Sequence, residues 1–194
     1  MLDSQISDFW NWFIKNSSNL HSNDYNRLII DELDKTISDW GLVWEIGPGL
    51  KKENSLTISP NGEKKLVNKA KGIIDKAPKL YNWEFYFAKQ AKENWYLLRL
   101  VDTGVEINAA DWTYVLLVYE DDKTEILVKA DNLKQLDNET KELIVDLILT
   151  NLLGEELKIE KIDCFDLVID FDSKKGVTEL KFLPLHITSK KYFK

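Results

Sequence analysis

The residues able to do chemistry are few in kind and scattered along the chain. Cysteine occurs once, at Cys164, and histidine twice, at His21 and His186. A catalytic thiol needs a base within hydrogen-bond reach and a third group to orient that base. Cys164 with His21 or His186 is the one thiol–imidazole combination on offer. It stands beside Phe165 in an apolar alternation, where an inert packed thiol is expected. No GxSxG elbow presents a serine to either histidine. A single cysteine also rules out an intrachain disulfide.

Carboxylates are plentiful, so acid–base chemistry has no shortage of groups, only of a location. Glu45 follows Trp44 in a strand-like run, where apolar neighbours could tune it for proton transfer. Glu155, just after the most apolar helix, is the second candidate. Both positions also suit ordinary strand-edge and helix-cap charges. Asp170 and Asp172 flank Phe171 and would share one side of a strand. A divalent cation wants several hard oxygens, but Lys174 and Lys175 stand where a calcium loop would place an oxygen donor and a glycine. The tip Glu120-Asp121-Asp122 has the composition of a turn. No metal and no cofactor are expected.

Gly47-Pro48-Gly49-Leu50-Lys51-Lys52 follows a predicted strand and looks faintly like a phosphate loop. Such a loop needs the spacing GxxxxGK[ST], free N–H groups and a helix behind it. Here proline removes an N–H, the spacing fails and a strand follows, so a hairpin turn is expected.

Tryptophan is the unusual component. Seven occur in 194 residues, about three times an ordinary usage of roughly 1%. Indole buries a large area yet keeps a polar N–H, which suits interfaces and clefts. Trp10, Trp40 and Trp83 fall on predicted core faces. Trp12, Trp44, Trp95 and Trp112 are the candidate binding residues.

The elements that must hold these groups follow from periodicity. Ile6, Phe9, Trp10, Phe13 and Ile14 are spaced for a helix capped by Ser4. Ile29, Ile30, Leu33, Ile37 and Trp40 make a second helix, begun after Ser22 and stopped at Gly41. Leu42–Ile46 and Ser55–Ser59 read as strands. Leu66 to Ala77 returns to a helical period, and Trp83 to Phe87 alternates as a strand. Trp95 to Val101 is a further strand candidate. Thr113–Glu120 and Thr124–Ala130 form a hairpin around Asp121-Asp122. Asp137 caps a central helix that ends at Gly154. Ile159–Phe171 and Val177–Leu183 are expected to be closing strands.

Strand, strand, helix, strand thus occurs twice, within residues 41–90 and 112–171, at an offset of about seventy residues. A duplicated ββαβ unit and a chance recurrence are both open. The fold class is α+β, with mostly antiparallel sheet, helices on one face and an N-terminal helical hairpin over residues 4–40. With four prolines and no Ser/Gly tract, no linker is visible, and residues 1–194 read as a single domain.

The formal net charge is −7 and positive charge is nearly all lysine, with Arg27 and Arg99 the two arginines. That balance argues against a nucleic-acid binder, which needs a basic face. The run Leu143–Leu153 is too short and too interrupted to cross a bilayer. The first residues lack the positive and apolar regions of a signal peptide, so a cytoplasmic location is expected. The mixed tail, Lys190 to Lys194, reads as a frayed terminus.

The series Phe9-Trp10-Asn11-Trp12-Phe13, Trp44-Glu45-Ile46-Gly47-Pro48-Gly49, Leu56-Thr57-Ile58-Ser59-Pro60-Asn61-Gly62, Ala77-Pro78, Trp83-Glu84-Phe85 and Leu153-Gly154-Glu155 resembles an uncharacterised bacterial family, a domain of unknown function. The resemblance spans most of the chain and implies no activity. The nearest analogy is to small acidic immunity-type proteins that neutralise a bacterial toxin. The expected function is a non-catalytic protein-binding role of this kind. A small hydrolase or isomerase using Glu45, and a regulatory domain binding a small molecule, are the alternatives.

Overall fold

A computed structural model describes residues 3–20, 26–101, 104–120, 123–172 and 176–189. His21, Ser22, the Asp121-Asp122 turn, Lys174, Lys175 and the lysine-rich tail lie outside the described residues. The chain divides into two compact units, residues 1–89 and 90–194. The class is α+β, and among the described residues four of the six strand pairings are antiparallel.

In the first unit, α1 (Asp3–Asn16) and α2 (Arg27–Asp39) each bury one stripe: Ile6, Phe9, Trp10 and Phe13 from α1, Leu33 and Ile37 from α2. The Asn26 side chain caps α2 by accepting the Leu28 N–H at 3.0 Å, satisfying a donor the helix cannot. At the other end of α2 the Lys69 ammonium donates to the Trp40 carbonyl at 2.6 Å, a favourable place for a cation.

Strands β1 (Val43–Gly47), β2 (Asn54–Ser59) and β3 (Trp83–Tyr86) form a sheet in that order. β1 and β2 make an antiparallel hairpin, and β3 returns parallel to β2 through α3 (Val67–Ile74). A parallel return requires such a crossover. β2 is central, and all six of its residues are buried, the polar ones included. Ser55 satisfies its hydroxyl by donating to the Gly47 and Pro48 carbonyls.

The core contains a chain of touching aromatic rings among its aliphatic residues. Phe13 meets Trp83 edge to face at 4.9 Å, Trp10 meets Phe85 at 4.9 Å and Phe9 meets Trp40 at 5.2 Å. The Trp10 indole N–H donates to the Ile73 carbonyl at 3.0 Å, tying α1 to α3.

The second unit opens with an antiparallel pair, β4 (Leu97–Leu100) and β5 (Val105–Asn108). Its larger sheet contains β6 (Thr113–Val118), β7 (Thr124–Lys129), β8 (Cys164–Leu167) and β9 (Thr178–Glu179), in the order β8-β7-β6-β9. β6 and β7 form a hairpin, and β8 returns parallel to β7. Ile126, Val128, Ile144, Ile148, Leu149, Leu180 and Leu183 are among its fully buried residues.

The crossover between β7 and β8 carries two helices, α4 (Asn138–Leu153) and α5 (Glu155–Lys161). Asp137 caps α4, accepting the Thr140 N–H at 2.9 Å. Gly154 separates the helices at φ 76° and ψ 152°, a backbone conformation open essentially to glycine alone. Lys158, on α5, reaches back to the Asp146 carboxylate and to the Thr150 hydroxyl on α4.

Two expected strands are corrected here. Ile159–Phe171 begins in α5, and only Cys164–Leu167 is strand. The turn at Gly154 lets the helix restart, so the apolar run is partly helical. In Val177–Leu183 only Thr178 and Glu179 pair. The chain then coils into a 3-10 turn and α6 (Leu183–Thr188), burying Leu180, Leu183 and Ile187 on one helical face. Asp170 and Asp172 consequently follow β8 as loop residues rather than sharing one strand face.

Candidate functional site

The tryptophans sort into two groups. Trp10, Trp40 and Trp83 are buried, as their spacing implies. Trp112 is buried too, at 3% exposure. Its indole N–H donates to the Asn132 side chain at 2.8 Å, and Asn132 in turn donates to the Asn108 carbonyl at 2.9 Å. Trp12, Trp44 and Trp95 keep part of their surface in solvent. The Trp44 N–H donates to Asp34 at 3.0 Å, pinning β1 to α2. Trp95 packs edge to face on Tyr96.

Of these, Trp12 belongs to a concave site. One face of α1 supplies Gln5, Asp8, Phe9 and Trp12, spaced i, i+3, i+4 and i+7. One face of α2 supplies Glu32, Thr36 and Asp39, with Trp40 following. Together with Lys69 they line a cleft of about 540 Å³. Its apolar part is a continuous aromatic stack: Trp12 lies nearly parallel to Phe9 at 6.1 Å, and Phe9 meets Trp40 edge to face. Its charged part is Asp8, Glu32 and Asp39, all exposed. The one lysine of the lining, Lys69, already donates to the Trp40 carbonyl.

A second cleft, of about 620 Å³, lies in the other unit over Trp112, Phe171 and Val177. Lys129 and Asp170 pair across it at 3.0 Å. The hydrogen bond to Asp170 raises the Lys129 pKa. Asp131, on the same wall, is held below the usual carboxylate range by its hydrogen bond to Lys134. Among the described residues, no group of three or more histidine, cysteine, aspartate or glutamate side chains is arranged to hold a metal ion.

The two carboxylate candidates part company. Glu45 sits in β1 and is exposed. It lines neither cleft. Glu155 is 2% exposed, at the first position of α5. Cys164 is corrected from a packed to an exposed thiol: it pairs with Glu125 on the outward face of the sheet, while Phe165 and Ile126 turn to the core. Residual desolvation and the carboxylates of Glu125, Asp166 and Asp163 push its pKa up, which disfavours the nucleophilic thiolate. His186 shares a 2.5 Å hydrogen bond with the buried Tyr114 hydroxyl.

The loop Gly47–Lys52 is a hairpin connection, and it does wrap an anion, one of the protein's own. The Lys51 backbone N–H donates to the Glu84 carboxylate at 3.0 Å, and the Tyr86 hydroxyl donates at 2.9 Å. The Lys51 bond, then the Tyr86 hydroxyl and the Lys52 and Leu50 N–H groups, hold Glu84 below its ordinary pKa against desolvation. A Cβ on Gly49 would lie 2.4 Å from that carboxylate and 2.7 Å from the Lys52 carbonyl. Glycine is therefore required by space, not by φ.

Sequence reasoning picked out Trp12 but missed Asp8, Glu32 and Asp39. Asp8 directly precedes the buried Phe9, and Glu32 and Asp39 stand at i and i+7 on α2, a usable signal once α1 and α2 were known to be neighbours. No helix among the described residues is long and apolar enough to cross a membrane. No protein-family model, curated protein or solved structure matches the chain.

Proposed function

We propose that this is a non-catalytic binding protein that engages a partner protein through the α1–α2 cleft. The observation that carries the reading is the aromatic stack of Trp12, Phe9 and Trp40 opening between the acidic faces of two helices. A partly exposed tryptophan over a buried aromatic base is the composition of an interface anchor. The net charge of −7 adds a long-range term that would steer a basic partner. An immunity role, in which a cytoplasmic protein holds a toxin inactive, is a specific form of this reading.

The test is capture of a partner by tagged protein from its native host, repeated with Trp12→Ala and with Tyr81→Ala. Tyr81 is 98% exposed and lies outside the cleft. Capture lost with Trp12→Ala and kept with Tyr81→Ala supports the reading. Capture that survives Trp12→Ala, with the circular dichroism spectrum unchanged, overturns it.

A further inference from the structure

The α1–α2 cleft also specifies the chemistry of its occupant, an inference that rests on the interaction reading above. We infer that it takes a basic polypeptide segment and seats a lysine or arginine side chain on Trp12, between Asp8 of α1 and Glu32 and Asp39 of α2.

Two features converge on a cation. The aromatic faces come first. The ring quadrupole of tryptophan attracts an ammonium or guanidinium within about 6 Å, and Trp12 is the partly exposed end of the stack. The second feature is charge. Three carboxylates face one lysine in the lining. The Lys69 ammonium is directed at the Trp40 carbonyl, 2.6 Å away, so it caps α2. Asp39 has an ion pair with Lys35, but both side chains are largely exposed, at 62% and 76%. Such a pair contributes little and can exchange partners.

A long basic side chain suits the mixture. Its methylenes can lie along Phe9 and Trp12 while its head stays at the carboxylate rim. An acidic or purely apolar segment would leave Asp8 and Glu32 facing it without compensation.

The probe is a capped hexa-arginine peptide, with capped hexa-glutamate as the control. Binding is followed by the indole N–H resonance of Trp12 in two-dimensional NMR, assigned by its loss in Trp12→Phe. Because the whole protein is acidic, affinity alone does not decide. Asp8→Asn with Glu32→Gln is therefore compared with Glu139→Gln plus Asp172→Asn, which removes the same charge from the second unit. All four positions are exposed, so the fold should persist.

The expected result is a saturable shift of the Trp12 resonance with hexa-arginine and none with hexa-glutamate. The cleft variant should weaken binding about tenfold, and the control variant far less. An unmoved Trp12 resonance, or equal weakening by the two variants, overturns the inference. Partner capture that needs Trp12 yet survives Asp8→Asn with Glu32→Gln also overturns it, while leaving the interaction reading intact.

Discussion

The two units contain the same ββαβ path, built differently. Val43 pairs with Ser59 and Ile46 with Leu56; Thr113 pairs with Lys129 and Leu116 with Ile126. The two hairpins thus share one register at an offset of seventy residues. In each, a 3-10 turn leads into the crossover helix, and a strand returns parallel to the second hairpin strand. Leu56 and Ile58 are fully buried in one, Ile126 and Val128 in the other. Phe85 lies beside Leu56 as Phe165 lies beside Ile126.

The differences are instructive. The first hairpin pairs no further than Gly47–Ser55, whereas the second adds the pair Val118–Thr124. The first crossover has one helix and the second two, hinged at Gly154. Into the first core α1 sends three aromatic rings, Phe9, Trp10 and Phe13, whereas α4 and α6 send only aliphatic side chains into the second. One path therefore tolerates two packing solutions, because its register is set by backbone pairing and its volume by whatever helices supply. The unit that uses rings is the one whose cleft is lined by rings in mutual contact, Trp12 on Phe9 and Phe9 on Trp40.

The largest test of the comparison is core truncation. Phe13→Ala and Ile148→Ala each remove a fully buried side chain. Losses of about 3–5 and 2–5 kcal/mol are expected from denaturant unfolding. Hydrogen exchange should show each loss falling mainly within its own unit. Equal loss of protection in both units from either change would break the picture of two separate cores.

Next come the two glycines without counterparts. Gly154→Ala should lower stability by about 1–3 kcal/mol through backbone strain. Gly49→Ala should lower it by about 1–3 kcal/mol through collision with Glu84 and the Lys52 carbonyl. Denaturation midpoints check both. A neutral Gly154→Ala would mean that the α4–α5 hinge is not what lengthens the second crossover.

A smaller effect sets the helices apart. α4 has a side-chain cap in Asp137, and α3 has none. Asp137→Ala should reduce stability by about 1 kcal/mol, whereas Leu66→Ala should show no capping loss.

The smallest is pH-dependent and specific to the first unit. Glu84 has its pKa lowered in the folded state. Its contribution is therefore present above the unfolded carboxylate value, about 4.3, and fades as pH falls through the lower folded value. The wild type should lose more stability on acidification below about pH 4.5 than Glu84→Gln does, measured by denaturation across pH 3–7. Identical pH profiles would show that the loop does not depend on this carboxylate.

Much of this was legible in the chain. Alternation located both hairpins within a residue or two, and the helical stripes of α1, α2 and α4 were evident from spacing. Asp137 and Gly154 were identified as the ends of α4. The misses have physical causes. Apolar runs of four to eight residues satisfy strand and helix alike, so Ile159–Phe171 and Val177–Leu183 were misread. Cys164 was expected to be packed because an apolar alternation does not say which of its two faces the sheet turns to the core. Trp112 was expected to have a looser setting because its partner, Asn132, lies across the fold.

The sequence by itself determined the α+β class, the places of the two hairpins, the helix stripes and the absence of a recognisable catalytic motif. Each depends on local spacing and residue type. The tertiary structure decided the rest. It brought Trp12 beside Phe9 and set Asp8 opposite Glu32 and Asp39. It turned the Gly47–Lys52 loop around Glu84, thirty-odd positions away, and left Glu45 in solvent. Those arrangements depend on which helices and strands become neighbours. That is fixed by packing across the whole unit, and no local period encodes it.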